Sequence, residues 1–424
     1  MFKFCIIQRF FFFLITFSFS ALILQAQTRL QYKADELSGT ETDQGPIREY
    51  IGNVEIIQDD IRITCNYARQ IINTNIAVLK GNVIVHQGNM IMKSDEMNYD
   101  GNLKIAKSIR PLEIIDEGTY LRANRGTYFV AEKKADFIGN VLIENDTTII
   151  ISDQLIFYRD TDISLAKGNA NIKSKTENVY LIGDLIENFP QKSYSIIKGN
   201  TNLFQVDTIL EENKTILDTL KIVCDTIESF RKSPEIYLFK NNVKIKRNGI
   251  FAQSNFAKLN NSENTLLFKD KPMIWYGEFQ LYADSILVQA SNKKLEYIKA
   301  YNNALSVNKD TLYENRFNQI SGDNIAISFI NGKLSKINSI GSSQSLYFIN
   351  NEEKPEGADR KNTDNIEIIF NDGEAENIFW IGKTSGIYIP EGILFNSISK
   401  YNLKNLQWLD SIPLLRLREI KIKN

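Results

Sequence analysis

Beyond its first 26 residues the chain alternates apolar and polar positions by two, as in Val54/Ile56, Val83/Val85, Leu112/Ile114, Val141/Ile143, Val243/Ile245 and the run Ile61/Ile63/Cys65/Tyr67. Period-two alternation rich in Ile, Val, Phe and Tyr predicts half-buried β-strands. No sustained 3.6-residue apolar stripe follows the opening segment, so the expected fold class is all-β.

The strands recur in register. Gly-Asn-Val stands at Gly52-Asn53-Val54, Gly81-Asn82-Val83 and Gly139-Asn140-Val141, a step of 29 residues with the middle member replaced by Arg110-Pro111-Leu112. The step continues to Gly168-Asn169-Ala170 and then lengthens toward Gly199-Asn200, Asn241-Asn242-Val243, Asp270-Lys271 and Asn302-Asn303, with Gly341 and Gly382 as looser members. Out of phase runs a second column, a small residue followed by Asp or Asn: Ala34-Asp35, Cys65-Asn66, Ser94-Asp95, Ala123-Asn124, Ser152-Asp153, Gly183-Asp184, Cys224-Asp225, Ser254-Asn255, Ala283-Asp284 and Gly322-Asp323. Two positions before its small member stand Ile63, Met92, Leu121, Ile150, Leu181, Ile222 and Leu281. A fixed period shared by two columns is the signature of a repeat architecture.

Small residues beside Asn or Asp within a strand let the backbone bend sharply. Each repeat therefore holds two arms, and each arm is expected to bend from one sheet into a facing one. The predicted architecture is an elongated two-sheet β-jelly-roll, or β-taco, of ~29-residue repeats, with the apolar columns on the inner faces. Some twenty arms stacked at ~4.8 Å would extend about 100 Å. The insertions near 203–236 and 346–363 are polar enough to be exposed loops or breaks between stacks. The division expected is a signal peptide at 1–26, repeats over 27–200, a continued or second stack over 201–345, and a C-terminal repeat and tail over 346–424.

The opening segment carries Lys3 and Arg9, then Phe10-Phe11-Phe12-Phe13-Leu14-Ile15, and ends at Ala26 with no acidic residue. This reads as a secretory signal peptide; polar sequence directly after Ala26 favours cleavage over a retained anchor. Cys5 would leave with it, and Cys65 and Cys224 read as buried small hydrophobes.

Composition narrows the function. One histidine, His86, and three cysteines are too few for a Cys/His zinc site, and that imidazole would have to carry any histidine-dependent catalysis alone. With 50 Lys+Arg against 51 Asp+Glu the formal charge is −1, no footprint for nucleic acid. The column Asp95, Asp153, Asp184, Asp225, Asp284 and Asp323 supplies one acid per repeat, a corner device rather than a calcium site. The reading is of a non-enzyme without metal or cofactor. The aromatics Trp275-Tyr276, Phe379-Trp380 and Trp408 are expected to seal the C-terminal part.

The repeated Gly-Asn-Val-x-apolar pattern, with a small residue and Asp a dozen positions on, resembles the OstA domain of the lipopolysaccharide-transport proteins, LptA and the periplasmic part of LptD, over roughly residues 28–345. The resemblance implies a jelly roll whose apolar interior covers the acyl chains of lipopolysaccharide, the lipid A moiety, in the periplasm or in association with the outer membrane. It also implies end strands that pair with other Lpt components or head to tail with another copy. On that basis the candidate groove residues are Val54, Ile56, Ile63, Val83, Val85, Met92, Leu121, Val141, Ile143, Ile150, Leu181, Ile222, Val243 and Leu281. The residues alone equally fit a closed core, in a structural β-repeat scaffold or assembly adaptor without lipid; the resemblance favours the groove.

Overall fold

A computed structural model describes residues 31–418 except 44, 59–60, 177, 212–213, 248, 292–293, 311–312, 352–353, 372–373 and 395–396. The predicted signal peptide lies outside the described residues. The chain forms two compact units that divide after Thr201.

Twenty-eight strands are described, twelve of them the two halves of six interrupted arms. In the first unit the arms form an antiparallel meander. The arm Gln31–Lys33/Glu36–Thr42 pairs with Gly45–Gln58, which pairs with Ile61–Ile71, then Ile76–Gln87, and so on to Val179–Phe189. In the second unit the same order runs from Lys214–Phe230 to the terminal arm Glu374–Ile381/Ser385–Pro390. The fold is all-β, a sheet creased along a line of corners so that its halves face each other.

The two sequence columns make the crease. Gly52 and Asn53 have φ of 74° and 42°, Gly81 and Asn82 72° and 49°, Gly168 and Asn169 70° and 46°. Two successive left-handed residues, tolerated by Gly and Asn, oppose a single residue of the neighbouring arm. The result is a β-bulge, which bends the strand. That single residue is the Asp or Asn of the second column. Its side chain lies against the glycine, where a Cβ would approach Asp35 at 2.4 Å from Gly52 or Asp153 at 2.4 Å from Gly168. The corner Asn then donates to that carboxylate: Asn53 to Asp35 at 2.9 Å, Asn169 to Asp153 at 2.8 Å, Asn242 to Asp225 and Asn303 to Asp284 at 3.0 Å.

The small member of each pair sits opposite the corner valine, as Cys65 opposite Val54, Ser94 opposite Val83, Ser152 opposite Val141 and Ser254 opposite Val243. At these turns of the crease a large side chain meets a small one, and at Ala170–Gly183 and Ala304–Gly322 both are small. Cys65 and Cys224, both free and buried, each donate Sγ–H to the carbonyl two residues on at 3.3 Å. Ser152 and Ser254 donate Oγ–H likewise, at 3.0 and 2.9 Å. Burial pushes the Cys65 thiol upward, which keeps it a donor.

Two expectations are corrected. The segments 203–236 and 346–363 are mainly strand: Tyr194–Glu211, Lys214–Phe230, Lys333–Asn351 and Lys354–Asn371 are arms of 17 to 19 residues. The added residues lengthen arms, and alternation persists, with Leu346, Phe348 and Ala358 buried.

The second unit also carries apolar residues on the outer face of one half-sheet. Leu305, Val307, Leu346 and Phe348 cluster there with Leu394 and Leu403, beneath the one-turn helices Glu391–Leu394 and Ile398–Tyr401. A non-sheet strap, residues 402–417, continues across this face. Gln319, only 1% exposed, accepts from the Leu403 amide at 2.8 Å, and the Tyr282 hydroxyl donates to the Gln407 carbonyl at 2.6 Å. Trp275 and Trp408 are thus covered as expected of seals, Trp408 against Phe317 at 5.0 Å. Trp380 crosses the interior instead, donating to Ser345 at 3.0 Å.

Gly168→Ala is expected to destabilise the protein by about 2 kcal/mol from backbone strain and contact with Asp153. Gly249→Ala shares a positive φ but meets nothing within 4 Å, so it should cost less. Urea unfolding of the two variants checks the order.

Candidate apolar groove

In the first unit the predicted columns join into one cross-strand ladder. Ile56 pairs with Ile63, Ile63 with Val85, Val85 with Met92 and Met92 with Ile114. The ladder continues through Leu121, Ile143, Ile150 and Ile172 to Leu181. One wall of the interior is therefore continuous aliphatic side chain. The facing wall is a second ladder, Tyr50–Ala68–Leu79–Met97. Its members cluster with Ile56, Ile63, Val85 and Met92 across the crease.

Exposure is unequal along this wall. Ile56, Ile63, Val85 and Met92 are half-buried, whereas from Ile114 onward each member is 4% exposed or less. The first arms thus leave an apolar wall open to solvent, and later arms close it with their own side chains. At the outermost arm Tyr32, 49% exposed, meets Tyr50 edge to face at 4.9 Å. Burial, then the neighbouring Tyr32, raises the Tyr50 hydroxyl pKa, while Arg48 lowers it. Arg48 and Gln70 are opposed in the register of the inner wall, two residues lipward of Tyr50 and Ala68. Further along, Asp116 follows Ile114 in the inward register, and burial followed by Glu117 pushes its carboxyl up.

The structure separates the predicted residues into three sets. Val54, Val83, Val141 and Val243 form the floor of the crease, each 2% exposed or less. Ile56, Ile63, Val85 and Met92 line the open wall; Leu121, Ile143, Ile150 and Leu181 lie in its closed continuation. Ile222 and Leu281 belong to the second unit's equivalent ladder, Ile222–Ile245–Ala252–Ile274–Leu281, all 6% exposed or less. Between Leu281, Ile298, Ile327 and Ile337 lies a small apolar cavity bordered by Tyr276 and Phe329, whose rings touch at 5.2 Å.

The facing wall was missed, although a signal existed. Two residues before each corner stand Tyr50, Leu79, Phe137, Ala166, Ile197 and Phe239, all buried. Among the described residues no group of three or more His, Cys, Asp or Glu side chains could hold a metal ion. Nor is any described helix long and apolar enough to cross a membrane.

A creased sheet with one partly open aliphatic interior defines an apolar-groove protein. Residues 29–113, which contain that open wall, match the family model described as OstA-like protein. Over these residues the chain is similar to OstA-like proteins. Among solved structures it is similar to LptH of Pseudomonas aeruginosa, described as the LptA-homologous periplasmic component of the lipopolysaccharide transport device. That match has 18% identity and a TM-score of 0.24, and covers 26% of this chain and 82% of that one. No curated protein matches the chain.

Truncation should report the two parts of the wall differently. Leu181→Ala is expected to cost roughly 2–5 kcal/mol as a buried cavity, and Met92→Ala about 1 kcal/mol or less. Denaturant midpoints at constant m-value check this.

Proposed function

We propose that the protein is a periplasmic lipopolysaccharide-binding transport component that shields acyl chains in the apolar groove and bridges toward the outer-membrane assembly machinery. The observation that carries this reading is the half-exposed wall Ile56–Ile63–Val85–Met92 within the OstA-like residues. Hydrocarbon entering an aqueous compartment gains ~0.8 kcal/mol per methylene covered. A wall already partly exposed takes a chain without unpacking a core. The polar positions Arg48 and Gln70, lipward of the apolar ones, suit an amphiphile whose sugars and phosphates remain in water.

The ends of the array support assembly by strand addition. Among the described residues the first arm pairs only with Gly45–Gln58, and the terminal arm only with Lys354–Asn371. Each leaves an edge to which another Lpt component, or a second copy head to tail, adds a strand. The buried ladder Ile222–Ile245–Ala252–Ile274–Leu281 of the second unit favours the scaffold reading for that part: it carries the structure and its docking edge, while the first unit holds the lipid.

A photo-crosslinking residue at Met92 is expected to give lipopolysaccharide adducts in cells at a yield well above the same residue at Lys93, its exposed neighbour on the opposite face. Equal yields at the two positions would reject the groove.

A further inference from the structure

The strap on the second unit holds its backbone in one register. The Gln280 side chain donates to the Leu409 carbonyl at 2.7 Å and accepts from the Leu409 amide at 3.1 Å, and Lys244 donates Nζ–H to the Leu414 carbonyl at 3.1 Å. Leu415 packs against Phe251, Met273 and Trp275. With Leu415 turned inward, its neighbour Leu414 is held outward, 80% exposed, between Ile412 at 48% and Leu417 at 40%. Three large aliphatic side chains in six residues are thus presented to solvent by a segment whose main chain is fixed. A leucine that merely lacked a place in a core would not be held out in this way.

The surrounding charge has one sign. Lys244 and Lys246 point from the same outer face of Ile236–Arg247, and Lys221 of the preceding arm is the direct cross-strand partner of Lys246. Like charges directly opposed destabilise a sheet. Neither Lys221 nor Lys246 has an acidic partner among the described residues. Arg416 is exposed beside Leu414. The sole acid in 402–417, Asp410, accepts a bond from the Trp408 indole at 3.1 Å.

An anion would relieve the lysine repulsion, and an apolar phase would cover Leu414, Ile412 and Leu417. We propose that this patch docks the protein on an anionic lipid bilayer, with Leu414 entering the headgroup region and Lys221, Lys244, Lys246 and Arg416 against lipid phosphates. This surface is on the outer face of the second unit and does not depend on lipid in the groove.

The test is co-sedimentation of the exported protein with vesicles of phosphatidylglycerol and phosphatidylcholine, against phosphatidylcholine alone. Native protein should pellet with the anionic vesicles at low ionic strength and be released by roughly 0.5 M salt. Leu414→Ser combined with Lys221→Glu and Lys246→Glu should lower the pelleted fraction at least about fivefold, with an unchanged melting temperature showing that the fold is intact. Leu414→Ser alone, at a solvent-exposed position, should lower it less. Native protein left in the supernatant with both vesicles overturns the proposal and assigns the patch to a protein partner. Equal pelleting of native and triple-variant protein overturns it as well.

Discussion

At most corners of the crease two successive residues stand at positive φ, and where the first is glycine the neighbouring Asp or Asn side chain occupies the space beside it. Everything inside the units depends on this arrangement. Without the bulge the arms would be straight strands, and the apolar columns would cover one face of an open sheet. With it, each arm folds back, and the residues on either side of the corner face each other. Where the second-column residue is Asp, its carboxylate accepts from the corner Asn and links the bend to the arm before it, as in Asn53–Asp35 and Asn169–Asp153. The valine-to-small pairing across the crease lets successive bends stack without overpacking.

The crease was legible because its chemistry is local. Gly-Asn and small-Asp recur at a fixed spacing, and the reason for each residue type is contained within a few positions. The alternation after the corner identified the wall from Ile56 to Leu181, yet the same alternation before the corner, through Tyr50 and Leu79, went unread. The long arms near 203–236 and 346–363 are hard to read because polar stretches resemble loops, whereas Ser343, Ser345, Arg360 and Lys361 are strand residues in the described arms. The outer apolar face of the second unit had a signal in runs such as Met273-Ile274-Trp275-Tyr276. A strand covered on both sides reads as continuous apolar sequence rather than alternation. The strap has no period at all; its place is set by distant side chains such as Gln280 and Gln319.

Whether a given stretch of wall is open was not legible. Ile63 and Ile150 are the same residue in the same column, half-buried in one case and 4% exposed in the other. The size of the facing residues does not sort the two cases, since Tyr50, Ala68, Leu79 and Met97 stand in the facing wall of the open part and Ser108, Gly126, Phe137 and Leu155 in that of the closed part. The floor valines, though the most regular residues in the sequence, belong to the crease and not to the lining.

The open wall of the first arms is the proposed lipid site, with the remainder of the crease as packed support. Native mass spectrometry of protein purified from its own cells measures this most directly. The native chain is predicted to carry an adduct with the mass of a lipid A-containing glycolipid, and the Ile63→Asp, Met92→Asp variant, folded by circular dichroism, is predicted to carry none. A native chain without the adduct, or a variant that retains it at equal occupancy, would contradict the account.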